Sequence, residues 1–83
     1  MTQYLITFRT LTQAQRAARI LERAGYTVTL RRTPAGLSRS GCGYALNLRR
    51  GAAEAAELLK TNGLWTGRLF RREEDGEYRE VLP

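Results

Sequence analysis

The chain has 83 residues, 42% hydrophobic and 27% charged, close to globular averages and enough for one hydrophobic core with no second domain. Its formal charge is +6, from 14 basic and 8 acidic residues, and every basic residue except Lys60 is an arginine, so an anionic partner is a natural expectation. One cysteine and no histidine exclude an internal disulfide and leave zinc fingers, iron–sulfur ligation, Cys-His pairs and Ser-His-Asp triads without their parts.

No metal and no cofactor are therefore expected. No apolar run approaches the ~20 residues of a membrane helix. The start Met1-Thr2-Gln3-Tyr4 has neither a basic opening nor a long apolar stretch, so a cytoplasmic location is expected.

In chain order, Tyr4, Ile6 and Phe8 alternate with Leu5 and Thr7, which predicts a first, central strand. Thr12-Gln13-Ala14-Gln15 matches a capping box and predicts a helix start there. Ala14, Ala17, Ala18, Leu21 and Ala24 recur at helical spacing, and Gly25 is suited to end the helix in a left-handed conformation. Tyr26, Val28 and Leu30 alternate with Thr27, Thr29 and Arg31, predicting a second strand directly after the helix.

Residues 33–43, Thr-Pro-Ala-Gly-Leu-Ser-Arg-Ser-Gly-Cys-Gly, interrupt regular structure with Pro and three glycines. A connection of that length in a compact domain is more often functional than incidental. Tyr44, Leu46 and Leu48 predict a third strand, and Ala52, Ala55, Ala56 and Leu59 predict a second helix ending near Asn62-Gly63. Trp65, Leu69 and Phe70 supply the next apolar segment, and Asp75-Gly76 divides Arg68–Arg72 from Glu77–Leu82 as a closing hairpin with opposite charges across it.

The order β-α-β-β-α-β with an additional C-terminal strand predicts an α+β ferredoxin-like sandwich over 1–83, with both helices on one face of an antiparallel sheet. That topology hosts many functions, so the site has to decide among them. Acidic residues at the hairpin tip read as a solvated turn rather than a catalytic carboxylate pair, and Gly41 with Gly43 are too few for a nucleotide-binding glycine loop.

The residue left to carry chemistry is Cys42. Gly41 and Gly43 remove side-chain cover on either side and give the loop access to solvent, and Arg39 is the nearby cation that would stabilise a thiolate. A buried, inert thiol is the competing reading for any lone cysteine. Arg31, Arg32, Arg49 and Arg50 bracket the loop in sequence. They support a second reading, a basic nucleic-acid-binding module, although Tyr4, Phe8 and Tyr44 share the parity of core positions rather than of stacking platforms. A protein-interaction adaptor docking through the open sheet face is the third.

The stretch Pro34-x-x-Leu37-Ser38-x-x-Gly41-Cys42-Gly43-x-Ala45-Leu46, after the Tyr4–Phe8 strand and alanine-rich helix, resembles the small selenium/sulfur carrier-like family over Tyr4 to about Trp65. The resemblance implies that Cys42 is the carrier residue. It implies a persulfide or perselenide accepted from a protein donor such as a cysteine desulfurase, and passed to an acceptor protein. One accessible thiolate suffices for that role, the partner supplying acid–base chemistry and cofactor. The many arginines and the added hairpin depart from the family pattern, and a homo-oligomer is compatible with all three readings.

Overall fold

The structure is a computed structural model that describes residues 3–34, 36–37, 43–64 and 68–81. It is α+β, with two helices and a five-stranded antiparallel sheet. The strands are β1 (Gln3–Phe8), β2 (Thr29–Arg32), β3 (Tyr44–Leu48), β4 (Leu69–Arg72) and β5 (Tyr78–Val81). Helices α1 (Leu11–Arg23) and α2 (Ala52–Thr61) follow β1 and β3. The sheet order is β2-β3-β1-β4-β5, so the first strand is central, as its apolar alternation predicts.

Register assigns the two faces. Ile6 pairs with Leu46 and with Leu69, and Tyr4 pairs with Leu48, so alternate residues of three strands point the same way. These side chains form the main core with Phe8, and the helices close over it with Ala14, Ala17 and Leu21 of α1 and Ala52, Ala55 and Leu59 of α2. The alanine stripes let both helices lie close against the strands. Tyr4 and Tyr44 also pack on this cluster, as their parity requires.

Helix α1 begins two residues earlier than the Thr12 capping box predicts. Its N-cap is Thr10, extended at φ −130 and ψ 155, whose Oγ1 accepts from the Gln13 N–H at 3.1 Å. Thr10-x-x-Gln13 carries the same pattern as Thr12-x-x-Gln15. The earlier cap adds a turn-starting residue, Leu11, and leaves Thr12 exposed inside the helix.

Both helices end alike. Gly25, at φ +97, donates to the Glu22 carbonyl, and Tyr26 donates to Leu21 at 2.9 Å. Gly63, at φ +70, donates to Lys60, and Leu64 donates to Leu59 at 2.8 Å. This is the Schellman pattern, in which a left-handed glycine satisfies the last free carbonyls.

The second strand starts at Thr29, three residues later than the alternation from Tyr26 predicts. Tyr26 spends its N–H on the helix cap, and ladder pairing with β3 begins only at Thr29↔Asn47. As an edge strand β2 is exposed throughout, Leu30 included at 38%. Tyr26 and Val28 nevertheless pack against the core. On the opposite edge β4 pairs with β5, Phe70 facing Glu80 and Arg71 facing Arg79. The like charges of that last pair are reconciled by Glu73, which lies 2.9 Å from Arg71 Nη2 and 3.7 Å from Arg79 Nε.

Among the described residues no helix is long and apolar enough to cross a membrane.

Candidate functional site

The face of the sheet turned away from the helices is not bare. Leu5, Ala45 and Phe70 alternate with the main-core residues on their strands, yet Leu5 and Ala45 are fully buried and Phe70 is 3% exposed. Leu37 and Tyr78 pack against them. Leu37 belongs to the long connection between β2 and β3, so at Leu37 that connection packs over a small second core.

Local chemistry explains how the chain gets there. Pro34 starts a turn closed by the Leu37 N–H donating to the Pro34 carbonyl at 3.2 Å, with Gly36 at φ +90 supplying the left-handed residue. Leu37, the apolar residue of an otherwise polar stretch, then has an apolar patch within reach.

Arg68 secures it from the other side. Its Nη1 donates to the Leu37 carbonyl at 3.4 Å, its Nη2 donates to Glu80 Oε1 at 2.7 Å, and its guanidinium carbon lies 4.8 Å from the centre of the Phe70 ring. The backbone of Arg68 is tied to β1: its N–H donates to Thr7 Oγ1 and its carbonyl accepts from the Thr7 N–H, both at 2.9 Å. The hydrogen bond with Glu80, outweighing partial desolvation, raises the pKa of Arg68 above the ordinary arginine value. Arg68 therefore stays charged at any working pH.

The other end of the connection is closed at its base. The Thr33 N–H donates to the Gly43 carbonyl at 3.1 Å, one step beyond the last ladder pair, Arg32↔Tyr44. Gly43 is buried at φ +148, a backbone conformation that favours glycine. Thr33 Oγ1 is buried at this base and has no hydrogen-bond partner among the described residues.

The connection is thus anchored at Leu37 and again at Gly43, and the intervening segment is Ser38–Cys42 in sequence. Arg39, Gly41 and Cys42, three of the residues singled out from the sequence, lie outside the described residues. Leu37, Arg68 and Thr33 escape sequence reasoning as site residues. Only Leu37 carries a signal, being apolar among Gly, Ser and Arg.

The arginines divide into two groups. Arg31 and Arg32 end β2 beside the loop, Arg32 lying 5.9 Å from the Tyr44 ring centre. Arg49 and Arg50 follow β3 at its far end. A five-residue strand spans about 17 Å at ~3.3 Å per residue. Screening at physiological salt acts over about 8 Å. Sequence brackets the cysteine with all four, but the two pairs act as separate charges and do not make one basic field around the loop.

Among the described residues no cluster of three or more potential ligands could hold a metal ion.

A family model described as "Putative Se/S carrier protein-like" matches residues 3–71, which include the whole anchored connection and both helices. No curated protein matches the chain, and no solved structure matches it.

Proposed function

Because the chain belongs to this Se/S carrier protein-like family, we propose that it is a carrier that takes a sulfur or selenium atom onto Cys42 and hands it to a partner protein. One observation carries the reading: the family match over residues 3–71 contains the Pro34 to Leu46 motif and, within it, the single cysteine of the chain.

The chemistry asks little of the domain itself. The Cys42 thiolate attacks the outer sulfur of a donor cysteine persulfide, a new S–S bond forms, the donor's S–S bond breaks, and the donor leaves as a thiolate. No electrons are gained or lost overall, and the acceptor removes the outer sulfur by the reverse kind of step. A perselenide transfers in the same way. A second cysteine in the chain would divert the persulfide into an internal disulfide, so a lone thiol suits onward transfer. Gly41 gives the thiol access in this reading and Arg39 favours the thiolate, whereas Gly43, expected from the sequence to share the access role, is buried and fixes the loop base instead.

The donor is a protein such as a cysteine desulfurase and the acceptor is a second protein. The anchors at Leu37 and Gly43 support the reading, because they hold the ends of the cysteine segment on a folded platform. The strand order also supports classing the fold as ferredoxin-like with β5 as an added hairpin strand.

Incubation with a cysteine desulfurase and cysteine, followed by intact-mass measurement, tests the proposal. One added sulfur atom, removed by reductant and absent in Cys42→Ser, is the expected result. No adduct with any of several desulfurases, or equal loading of Cys42→Ser, would overturn it. Arg39→Ala should slow loading more at neutral than at alkaline pH, since alkali ionises the thiol without help.

A further inference from the structure

A cleft of about 710 Å³ opens where the segment after α1 passes the end of β3, at the end of that strand remote from the cysteine loop. Its walls include Tyr26, Thr27, Thr29, Asn47, Arg49 and Arg50. Among the described residues no carboxylate lines it. Among the described residues Arg49 and Arg50 are in no ion pair, and both are exposed.

That charge pattern differs from the one beside the β4–β5 turn and around Arg68. The cleft beside the β4–β5 turn, about 580 Å³, mixes Arg71 and Arg72 with Glu73 and Glu74, and Glu73 already holds Arg71 at 2.9 Å. Arg68 is likewise engaged by Glu80. Among the described residues Arg68, Arg71 and Arg79 are held in ion pairs by Glu80 and Glu73, whereas Arg49 and Arg50, like Arg31 and Arg32, are not.

The donor set defines a ligand class. Two guanidinium forks match the oxygens of a phosphoryl group, and two threonine hydroxyls and an asparagine amide add neutral donors. The flank of Tyr26 supplies an apolar wall, and the volume falls within the roughly 300–1,000 Å³ of small-molecule sites.

We propose that this cleft binds a small phosphate ester of nucleoside-monophosphate size, its phosphoryl group held by Arg49 and Arg50 and its organic part lying along Tyr26, Thr27 and Thr29. The proposal does not depend on carrier chemistry at Cys42.

AMP titrated into the full chain, followed by calorimetry and by amide chemical shifts, is the test. The expected result is one saturable site with a Kd below about 1 mM. Shifts should concentrate at Thr27, Thr29, Asn47, Arg49 and Arg50, inorganic phosphate should compete, and adenosine should not bind. Arg49→Gln with Arg50→Gln should weaken AMP binding about tenfold or more, as loss of charge-assisted hydrogen bonds implies. Arg31→Gln with Arg32→Gln, which removes the same charge elsewhere, should change it less than about twofold.

Absence of saturation at millimolar AMP would overturn the proposal. So would equal weakening by both double variants, which marks a diffuse field. Far tighter binding of a single-stranded oligonucleotide, steeply salt-dependent and shifting residues at both ends of β3, would also overturn it in favour of a polynucleotide surface.

Discussion

The guanidinium of Arg68 holds the carbonyl of Leu37 at 3.4 Å, across 31 positions of sequence, while its other nitrogen holds Glu80 at 2.7 Å. One side chain therefore connects the motif-bearing loop to the last strand of the sheet. Its charge makes it a persistent donor, because the Glu80 hydrogen bond raises its pKa.

Replacing Arg68 by Ala should accordingly loosen the Leu37 end of the loop and leave its base closed. Amide hydrogen exchange is the measurement. The Leu37 N–H should exchange faster, whereas the Thr33 N–H, bonded to Gly43, should change little. Arg68→Lys keeps the charge but loses the fork, and should give an intermediate rate. Unchanged exchange at Leu37 in both variants would remove Arg68 as an anchor.

Leu37→Ala should destabilise the fold by about 1–2 kcal/mol, below the full-burial range because Leu37 is only half-buried over Leu5, Ala45 and Phe70. Urea unfolding checks this. Leu11→Ala, at a side chain 38% exposed, should stay within about 0.5 kcal/mol of the parent. Equal effects would mean that Leu37 does not cap a second core.

Gly51 and Gly63 separate conformational from steric cost. Both have φ +70, but a Cβ on Gly51 would lie 2.7 Å from Tyr26 Cε1, whereas one on Gly63 meets nothing within 4 Å. Gly63→Ala should cost about 1–2 kcal/mol, the left-handed penalty alone. Gly51→Ala should cost measurably more, and Tyr26→Ala should erase that excess in a double-mutant cycle. Equal costs at the two glycines would show that the Tyr26 contact yields freely.

Neighbours in the motif should behave oppositely in thermal melts. On the carrier reading Cys42→Ser should leave the transition nearly unchanged, since a thiol open to a partner protein contributes little packing. Gly43→Val should lower stability by about 1–3 kcal/mol, because Gly43 is buried at φ +148 and its carbonyl closes the loop base. A silent Gly43→Val would mean that the Thr33–Gly43 bond is dispensable.

By itself the sequence determined what short-range chemistry controls. The alternation of Tyr4, Ile6 and Phe8 marks a core strand, the Ala52, Ala55, Ala56 and Leu59 stripe marks a buried helix face, and Gly25 and Asn62-Gly63 mark helix ends. Each of these signals lies within a few residues of the feature it specifies. Where two local signals competed, sequence alone could not choose: Thr10 and Thr12 each precede a glutamine by three residues, and the folded chain places the cap at Thr10.

The tertiary structure decided everything that depends on which strands become neighbours. Strand order brings Phe70 beside Leu5 and carries Arg68 over to Leu37, giving the loop a platform that no local pattern encodes. Strand length then sets Arg49 and Arg50 about 17 Å from the loop they bracket in sequence, since an extended strand converts close sequence positions into distant ones. Hydrophobic burial selects that arrangement as a whole, so its long-range contacts are properties of the folded sheet and not of any segment within it.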